Sequence, residues 1–238
     1  MELLEDITDN YDKNNVTIGV FIDLKKAFDT INHNILIKKL SYYGIRGKPL
    51  QWLESYLMNR KQYVYYNNVE SEISTVVCGI PQGSILGPIL FLLYINDLAN
   101  VSNKLKCILF ADDTNVFYSD KCLKDVYKVM NDELNNMNNW FKVNKLSLNI
   151  DKTKYMIFMK KIGLLEHNII IDQINVERVT VAKFLGIQVE EKLKWDMQIN
   201  SVCKNMSKGI PVLYKMKPIL DNKIIYSSYE ITVYELCL

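Results

Sequence analysis

Long apolar runs are absent from this sequence of 238 residues. Its most apolar stretch, residues 85–95, is short and carries Gly87 and Pro88, so no segment is expected to span a bilayer. Paired cysteines are absent as well. Cys78, Cys107, Cys122, Cys203 and Cys237 are odd in number and scattered, with no CxxC spacing. That argues against a disulfide frame or zinc site and for reduced thiols in a soluble, intracellular protein. A targeting leader is not expected, because Glu2, Glu5 and Asp6 open the chain with acid. An excess of one charge is lacking too: 29 basic residues stand against 27 acidic ones, which excludes a histone-like or tail-like basic protein. There are no repeats and no low-complexity segments. What is there is a composition 49% hydrophobic, enough for one large domain or a domain with a smaller lobe.

Taken in order, residues 1–15 are polar and read as a lead-in or the tail of a helix. Residues 16–22 read as a buried strand ending at Asp23. Thr30 or Asn32 is placed to cap a helix on which Leu36, Leu40 and Tyr43 recur, with Gly44 as its stop. A second helix is predicted over 49–58, with Trp52, Leu53 and Tyr56 turned inward as core. Residues 62–66 and 73–78 are predicted strands around an Asn67-Asn68 turn. The breaker-rich 79–84, Gly-Ile-Pro-Gln-Gly-Ser, precedes an apolar helix over about 84–98 and lacks the Gly-Lys-Ser/Thr of a P-loop. Val126, Met130, Leu134, Met137 and Phe141 mark a long amphipathic helix. Further strands are predicted at 155–159, 169–171 and 179–189. A last helix runs through Ile199, Cys203, Met206, Ile210 and Leu213, interrupted or kinked at Pro211. Residues 224–238 are apolar and lack a stop signal. Strands and helices mix without regular βα alternation, which favours an α+β fold with a mainly antiparallel sheet.

Chemistry concentrates at residues 107–118. Apolar Cys107 to Ala111 run into Asp112 and Asp113, and Val116, Phe117 and Tyr118 resume a β-favouring run, so the two acids sit at a hairpin tip. The plain alternative is a solvated turn. Asp23 stands where a buried strand meets a turn, and its plain alternative is a cap or turn residue. If the two strands are neighbours, three carboxylates converge, and such a cluster repels itself unless divalent cations sit between its members.

Five motifs occur in sequence. They are Phe-Ile-Asp-Leu-Lys-Lys-Ala-Phe-Asp at 21–29, Gly-Ile-Pro-Gln-Gly-Ser-Ile-Leu-Gly-Pro-Ile-Leu-Phe at 79–91 and Phe-Ala-Asp-Asp at 110–113, then Leu-Asn-Ile-Asp-Lys-Thr at 148–153 and Phe-Leu-Gly-Ile at 184–187. Together they resemble the reverse transcriptase domain of a non-LTR retrotransposon of the jockey-like group. The resemblance implies a polymerase palm, its helices mainly on one face of the antiparallel sheet, with partial fingers and a partial thumb. The implied division is 1–160 as palm with a remnant of fingers, 161–190 as connecting strands with the primer grip, and 191–238 as partial thumb. Only twenty-two residues precede Asp23, so an N-terminally truncated domain is expected.

The implied activity is RNA-directed DNA synthesis from dNTPs on an RNA template with a DNA primer, using two Mg²⁺ ions for which Mn²⁺ substitutes. Asp23 and Asp112 would be the principal metal ligands, with Asp113 close by and the Leu24 carbonyl helping. Ala27, Phe28 and Gln82 would meet the nucleotide, with Phe28 excluding a 2′-hydroxyl by bulk. Lys152 would act as general acid toward pyrophosphate, and Phe184, Leu185 and Gly186 would form the primer grip. Cytoplasm and nucleus are the implied locations. Two rivals stand beside this reading. A viral RNA-dependent RNA polymerase generally carries an acid five residues after the first metal Asp, where this chain has Phe28. The other rival is a catalytically silent relic that at most binds nucleic acid.

Overall fold

The computed structural model describes residues 2–160 and 167–216. Helix α1 (Glu2–Asp12) leads into strand β1 (Val16–Ile22). Residues 1–15 are thus more than a polar lead-in, because Leu3 and Ile7 share one face of α1 and are buried. Helix α2 (His33–Tyr42) is capped by Asn32, whose Oδ1 accepts from the Ile35 N–H at 3.1 Å, and it stops at Gly44 with φ +92°. Helix α3 (Lys48–Leu57) buries Leu57 and leaves Trp52 58% exposed, against the expectation that Trp52 faces the core.

The strands expected around Asn67-Asn68 form two short ladders in place of one continuous hairpin. Strand β2 (Lys61–Gln62) will pair with β5 (Ser74–Thr75), and β3 (Tyr65–Tyr66) pairs with β4 (Val69–Glu70). Asn67 and Asn68 have φ of 50° and 61°, a left-handed pair suited to a two-residue hairpin turn. Every residue of these four strands is exposed, so no buried face holds a longer register together.

Helix α4 (Leu86–Ile95) is followed by a 3-10 turn over Asn96–Asn100. Ser84 caps it from outside, its Oγ accepting from the Gly87 N–H at 3.0 Å and donating to the Pro81 carbonyl at 2.8 Å. Strands β6 (Lys106–Phe110) and β7 (Asp113–Asp120) form the expected hairpin, and α5 (Leu123–Val143) buries the expected Val126, Met130, Leu134, Met137 and Phe141. Then come β8 (Lys154–Phe158), β9 (Ile170–Ile171), β10 (Ile174–Asn175), β11 (Glu177–Arg178), β12 (Val181–Phe184), β13 (Ile187–Glu190) and α6 (Asp196–Met216).

Residues 179–189, expected as strand throughout, break into the β12–β13 hairpin at Leu185 (φ 47°) and Gly186 (φ 87°). The apolar run hid the turn. Helix α6 runs through Pro211 without the expected interruption. The expected division between 160 and 161 falls where the described residues break off, and the apolar end at 224–238 lies entirely outside them.

The central sheet has the order β11-β8-β1-β7-β6. All its pairs are antiparallel except β11 on β8. Strand alternation gives it two apolar faces. Ile18, Val20, Ile22, Val116, Tyr155 and Ile157 face a core shared with α2, α4 and α5. Phe117, Met156 and Phe158 face a smaller core made with Leu3 and Ile7 of α1 and with Phe184 and Val189 of the β12–β13 hairpin. Helices therefore lie mainly on one face, as expected, while α1 and a hairpin cover the other. Burying each large apolar side chain contributes roughly 1.5–3 kcal/mol, so apolar burial holds the sheet from both faces. Among the described residues no helix is long and apolar enough to cross a membrane.

Candidate active site

The β1–β7 ladder ends with Ile22 opposite Thr114, so Asp23 and Asp113 come next, one on each strand. By alternation both lie on the face that carries Phe21, Asn115 and Phe117. They line one cleft of about 140 Å³ with Asn115, Lys152, Lys183 and Leu185. The hairpin brings Asp113 there through a two-residue turn, with Phe110 paired to Asp113 and Ala111 held at φ 51°. Such a backbone is strained for alanine, and strain of this kind collects at functional sites.

Asp23 is held from behind by the segment 149–153. The Asn149 side chain donates to Asp23 Oδ2 at 2.8 Å, and its backbone N–H donates to the Asp23 carbonyl at 2.8 Å. The Asp23 N–H donates to Thr153 Oγ1 at 3.2 Å, and that hydroxyl donates to the Asn149 carbonyl at 2.9 Å. The Asp113 carboxyl is pushed above the usual carboxylate range, first by partial desolvation and then by the charges of Asp112 and Asp23. Lys183 pulls the other way.

The sequence motifs thus land in two neighbouring places. The acids Asp23 and Asp113, Lys152 and the hairpin residue Leu185 share the cleft, while Asp112 is exposed at the tip and is not part of its lining. Phe184 is buried in the smaller core and Gly186 makes the turn beside it. Phe28 and Gln82 share a separate hollow of about 530 Å³ with Pro81 and Gly83. Phe28 lies against Phe91, with ring centroids 4.7 Å apart, and its carbonyl accepts from the Ile80 N–H at 2.9 Å. Gln82 Nε2 donates to Asp29 Oδ1 at 2.8 Å. Ala27 and Leu24 put their side chains into the main core. Gly79 is required where the loop crosses Asp29, since a Cβ there would lie 2.8 Å from the Asp29 carbonyl oxygen.

Sequence reasoning missed Lys183 and Asn149. Lys183 precedes Phe184 on β12, so strand alternation sends it away from the buried Phe184 and into the cleft. Asn149 stood inside a recognised motif but gave no sign that its amide reaches Asp23.

Hard carboxylate oxygens facing each other in a polar cleft are the donor chemistry that suits Mg²⁺ or Mn²⁺. Among the described residues, however, no three His, Cys, Asp or Glu side chains stand grouped as a ready metal site. Asp23 and Asp113 fit such an ion, and Asp112 is one turn residue away.

The profile of the reverse transcriptase (RNA-dependent DNA polymerase) family matches residues 1–189. Among curated relatives in Drosophila melanogaster, the "Probable RNA-directed DNA polymerase from transposon X-element" is 27% identical over 210 residues, 84% of this chain and 22% of that protein. The corresponding protein of transposon BS is 28% identical over 216 residues, 85% of this chain and 23% of the relative. The RNA-directed DNA polymerase from mobile element jockey is 24% identical over 195 residues, 78% and 21%. The chain thus spans about a fifth to a quarter of the length of these relatives. Solved telomerase structures share the fold. Apo telomerase from Candida tropicalis matches with a TM-score of 0.58 at 14% identity, over 82% of this chain and 35% of that one. Telomerase from the same organism, with a fragment of telomeric RNA, matches with a TM-score of 0.55 at 13% identity, over 82% and 33%. A five-stranded palm sheet with acids at the ends of its middle strands, matched from residue 1 to residue 189, makes this chain a member of the reverse transcriptase family.

Proposed function

We propose that this chain supplies the catalytic palm for RNA-directed DNA synthesis in a non-LTR retrotransposon, joining a dNTP to the 3′-hydroxyl of a DNA primer on an RNA template. The observation that carries this reading is the placement of Asp23 opposite Asp113, facing one cleft with Lys152 and Lys183. Asp23, Asp113 and Asp112 would hold two divalent ions, with the Leu24 carbonyl available beside them. When bound, such ions lower the pKa of the attacking hydroxyl and stabilise charge on the leaving pyrophosphate.

The remaining work falls to the chain's own groups. Asn149 and Thr153 orient Asp23 before substrate arrives, so little reorganisation is left for the reaction. Lys152 stands at the cleft where a leaving pyrophosphate needs a proton, and Lys183 brings a second positive charge for phosphate oxygens. Phe28, packed on Phe91 and next to Gln82, is placed to sense the sugar and base of the nucleotide. Leu185 and Gly186, at the tip of the β12–β13 hairpin, would hold the primer end near the acids. Action in cytoplasm and nucleus goes with this reading.

A primer-extension assay on an RNA template, with Mg²⁺ or Mn²⁺ titrated, tests it. Metal-dependent extension that disappears in both Asp23→Asn and Asp113→Asn is the expected result. Extension undiminished by either substitution would sink the assignment. The second reading, a silent nucleic-acid binder, is favoured by the ungrouped state of the three acids. It predicts template binding with no extension at any metal concentration.

A further inference from the structure

Helix α3 carries an aromatic and cationic surface that its own fold does not use. Trp52 is 58% exposed, and its ring lies parallel to Tyr56 one turn later, with centroids 5.8 Å apart and planes 10° from parallel. Past the helix end, Met58 is extended and Asn59 left-handed at φ 58°, and this reversal brings the Arg60 guanidinium 5.8 Å from the Tyr56 ring centroid. Lys48 stands one turn before Trp52. Residues 46–62 hold Arg46, Lys48, Arg60 and Lys61 against the single acid Glu54, a local +3 in a chain whose whole net charge is +2. Arg60 and Lys61 also wall a hollow of about 470 Å³ whose far side is the loop ending at Gln82.

We propose that the outer face of α3 binds a single-stranded stretch of nucleic acid, with bases stacking on Trp52 and phosphates met by Lys48, Arg60 and Lys61. Stacked rings beside a cation offer what unpaired bases need, and every base has a face to stack, so binding here is tolerant of sequence. Charge argues against a second copy of the chain as occupant, because a symmetric contact would set +3 against +3. Arg60 joins the two places, since it walls the hollow beside the Gln82 loop and also lies against Tyr56 of α3. The inference concerns residues remote from the acids and does not depend on their chemistry.

The test is fluorescence anisotropy on the full chain with labelled 20-nucleotide single-stranded RNA, single-stranded DNA of the same sequence, and duplex DNA. Trp52→Ala should weaken single-strand binding about tenfold, with Trp52→Phe restoring most of it and duplex binding changed little. Arg60→Gln should flatten the dependence of log affinity on log salt by about 0.7 per lost phosphate contact. A larger loss on one of the two single strands identifies that strand as the natural one, and equal losses mark a surface that takes either. Because Trp52 is largely exposed, the melting temperature of Trp52→Ala should match that of the parent. Lys128→Gln, which removes an exposed cation on α5 outside this surface, serves as the control, and it should bind both single strands as the parent does. Single-strand affinities unchanged by Trp52→Ala, or an equal loss on duplex, overturn the proposal. So does a shift of the free protein to a smaller sedimenting species in Trp52→Ala, which would mark the face as a contact between protein chains.

Discussion

Asn149 holds Asp23 at two points, its amide on the carboxylate and its backbone N–H on the carbonyl, each at 2.8 Å. The two residues are 126 positions apart, so the orientation of the first acid is set by a turn that follows α5. Asn149→Ala leaves Asp23 chemically intact and removes the donor that aims it. Outer hydrogen-bond partners of metal ligands typically matter 10–100-fold, so the Mg²⁺ concentration for half-maximal extension should rise by about that factor. Stability should fall by only about 1 kcal/mol, the ordinary net worth of one hydrogen bond. A metal titration of primer extension beside a thermal melt separates the two effects. An unmoved titration would show that Asp23 needs no such support.

The positions of Asp23 and Asp113 at neighbouring strand ends were legible because strand alternation and turn chemistry act locally. Asp112, expected beside Asp23 as a principal ligand, instead stands exposed at the hairpin tip outside the cleft. An apolar run ending in Asp-Asp reads as a hairpin tip, and the run before Asp23 reads as a neighbouring buried strand. What the sequence hid was set by distant parts of the chain. Leu185-Gly186 sits in an apolar run that reads as strand, and only pairing of Phe184 with Ile187 turns it into a hairpin. Trp52 has the helical spacing of a core residue, yet Leu57 takes the core position and leaves Trp52 outside. Residues 1–15 gave no strong pattern, but Leu3 and Ile7 suffice once Phe117, Phe158 and Phe184 offer an apolar face. Lys183 was invisible because its place in the cleft comes from strand pairing rather than from any motif.

A second expected outcome concerns pH. Desolvation, Asp112 and Asp23 together raise the Asp113 carboxyl, so the folded protein binds that proton more tightly than the unfolded chain does. The contribution of this group to stability is therefore present below the usual carboxylate range and is lost as pH rises through the raised value. Asp113→Asn removes the loss, and its melting temperature should exceed that of the parent at neutral pH and approach it on acidification. Added Mg²⁺ should stabilise the parent more than the variant, because only the parent offers both Asp23 and Asp113. Equal melting curves across pH 3–7 would contradict the mutual repulsion of these acids.

Gly19 makes a third case, one that tests the sheet itself. It pairs with Phe117 across β1 and β7, and a Cβ on Gly19 would lie 2.6 Å from Cε1 of that ring. The ring covers the backbone of β1 and meets Phe21 and Phe184 edge-on, at 6.0 and 5.8 Å between centroids. Gly19→Ala therefore forces the ring out of the smaller core, at a cost on the order of 1–3 kcal/mol. Phe117→Leu on its own loses packing, but it should make Gly19→Ala much less harmful. Chemical denaturation of the two single variants and the double variant measures this coupling. Strict additivity would mean that the ring has somewhere else to go.

Sugar choice is the last expected outcome, and it turns on how firmly Phe28 is held. Its ring is half-buried, lies 4.7 Å from Phe91 at an angle of 31°, and borders the hollow that Gln82 shares. Below it, the Phe28 carbonyl accepts the Ile80 N–H, so backbone and ring are both fixed relative to the loop at 79–84. A side chain held in this way can exclude a ribose 2′-hydroxyl by volume alone, which is discrimination by a built-in clash. Phe28→Val removes most of that volume and also leaves Phe91 without its neighbour. Destabilisation by on the order of 1–3 kcal/mol should accompany a shift toward ribonucleotide incorporation. Phe28→Leu keeps more of the volume and should fall between the parent and Phe28→Val in both respects. The ratio of dNTP to rNTP incorporation efficiency, measured with primer and template saturating, reports the gate, while melting curves report the packing. If stability falls in the order parent, Leu, Val and the ratio does not move, Phe28 is a core aromatic that happens to face the hollow, and sugar selection must be sought elsewhere along its rim.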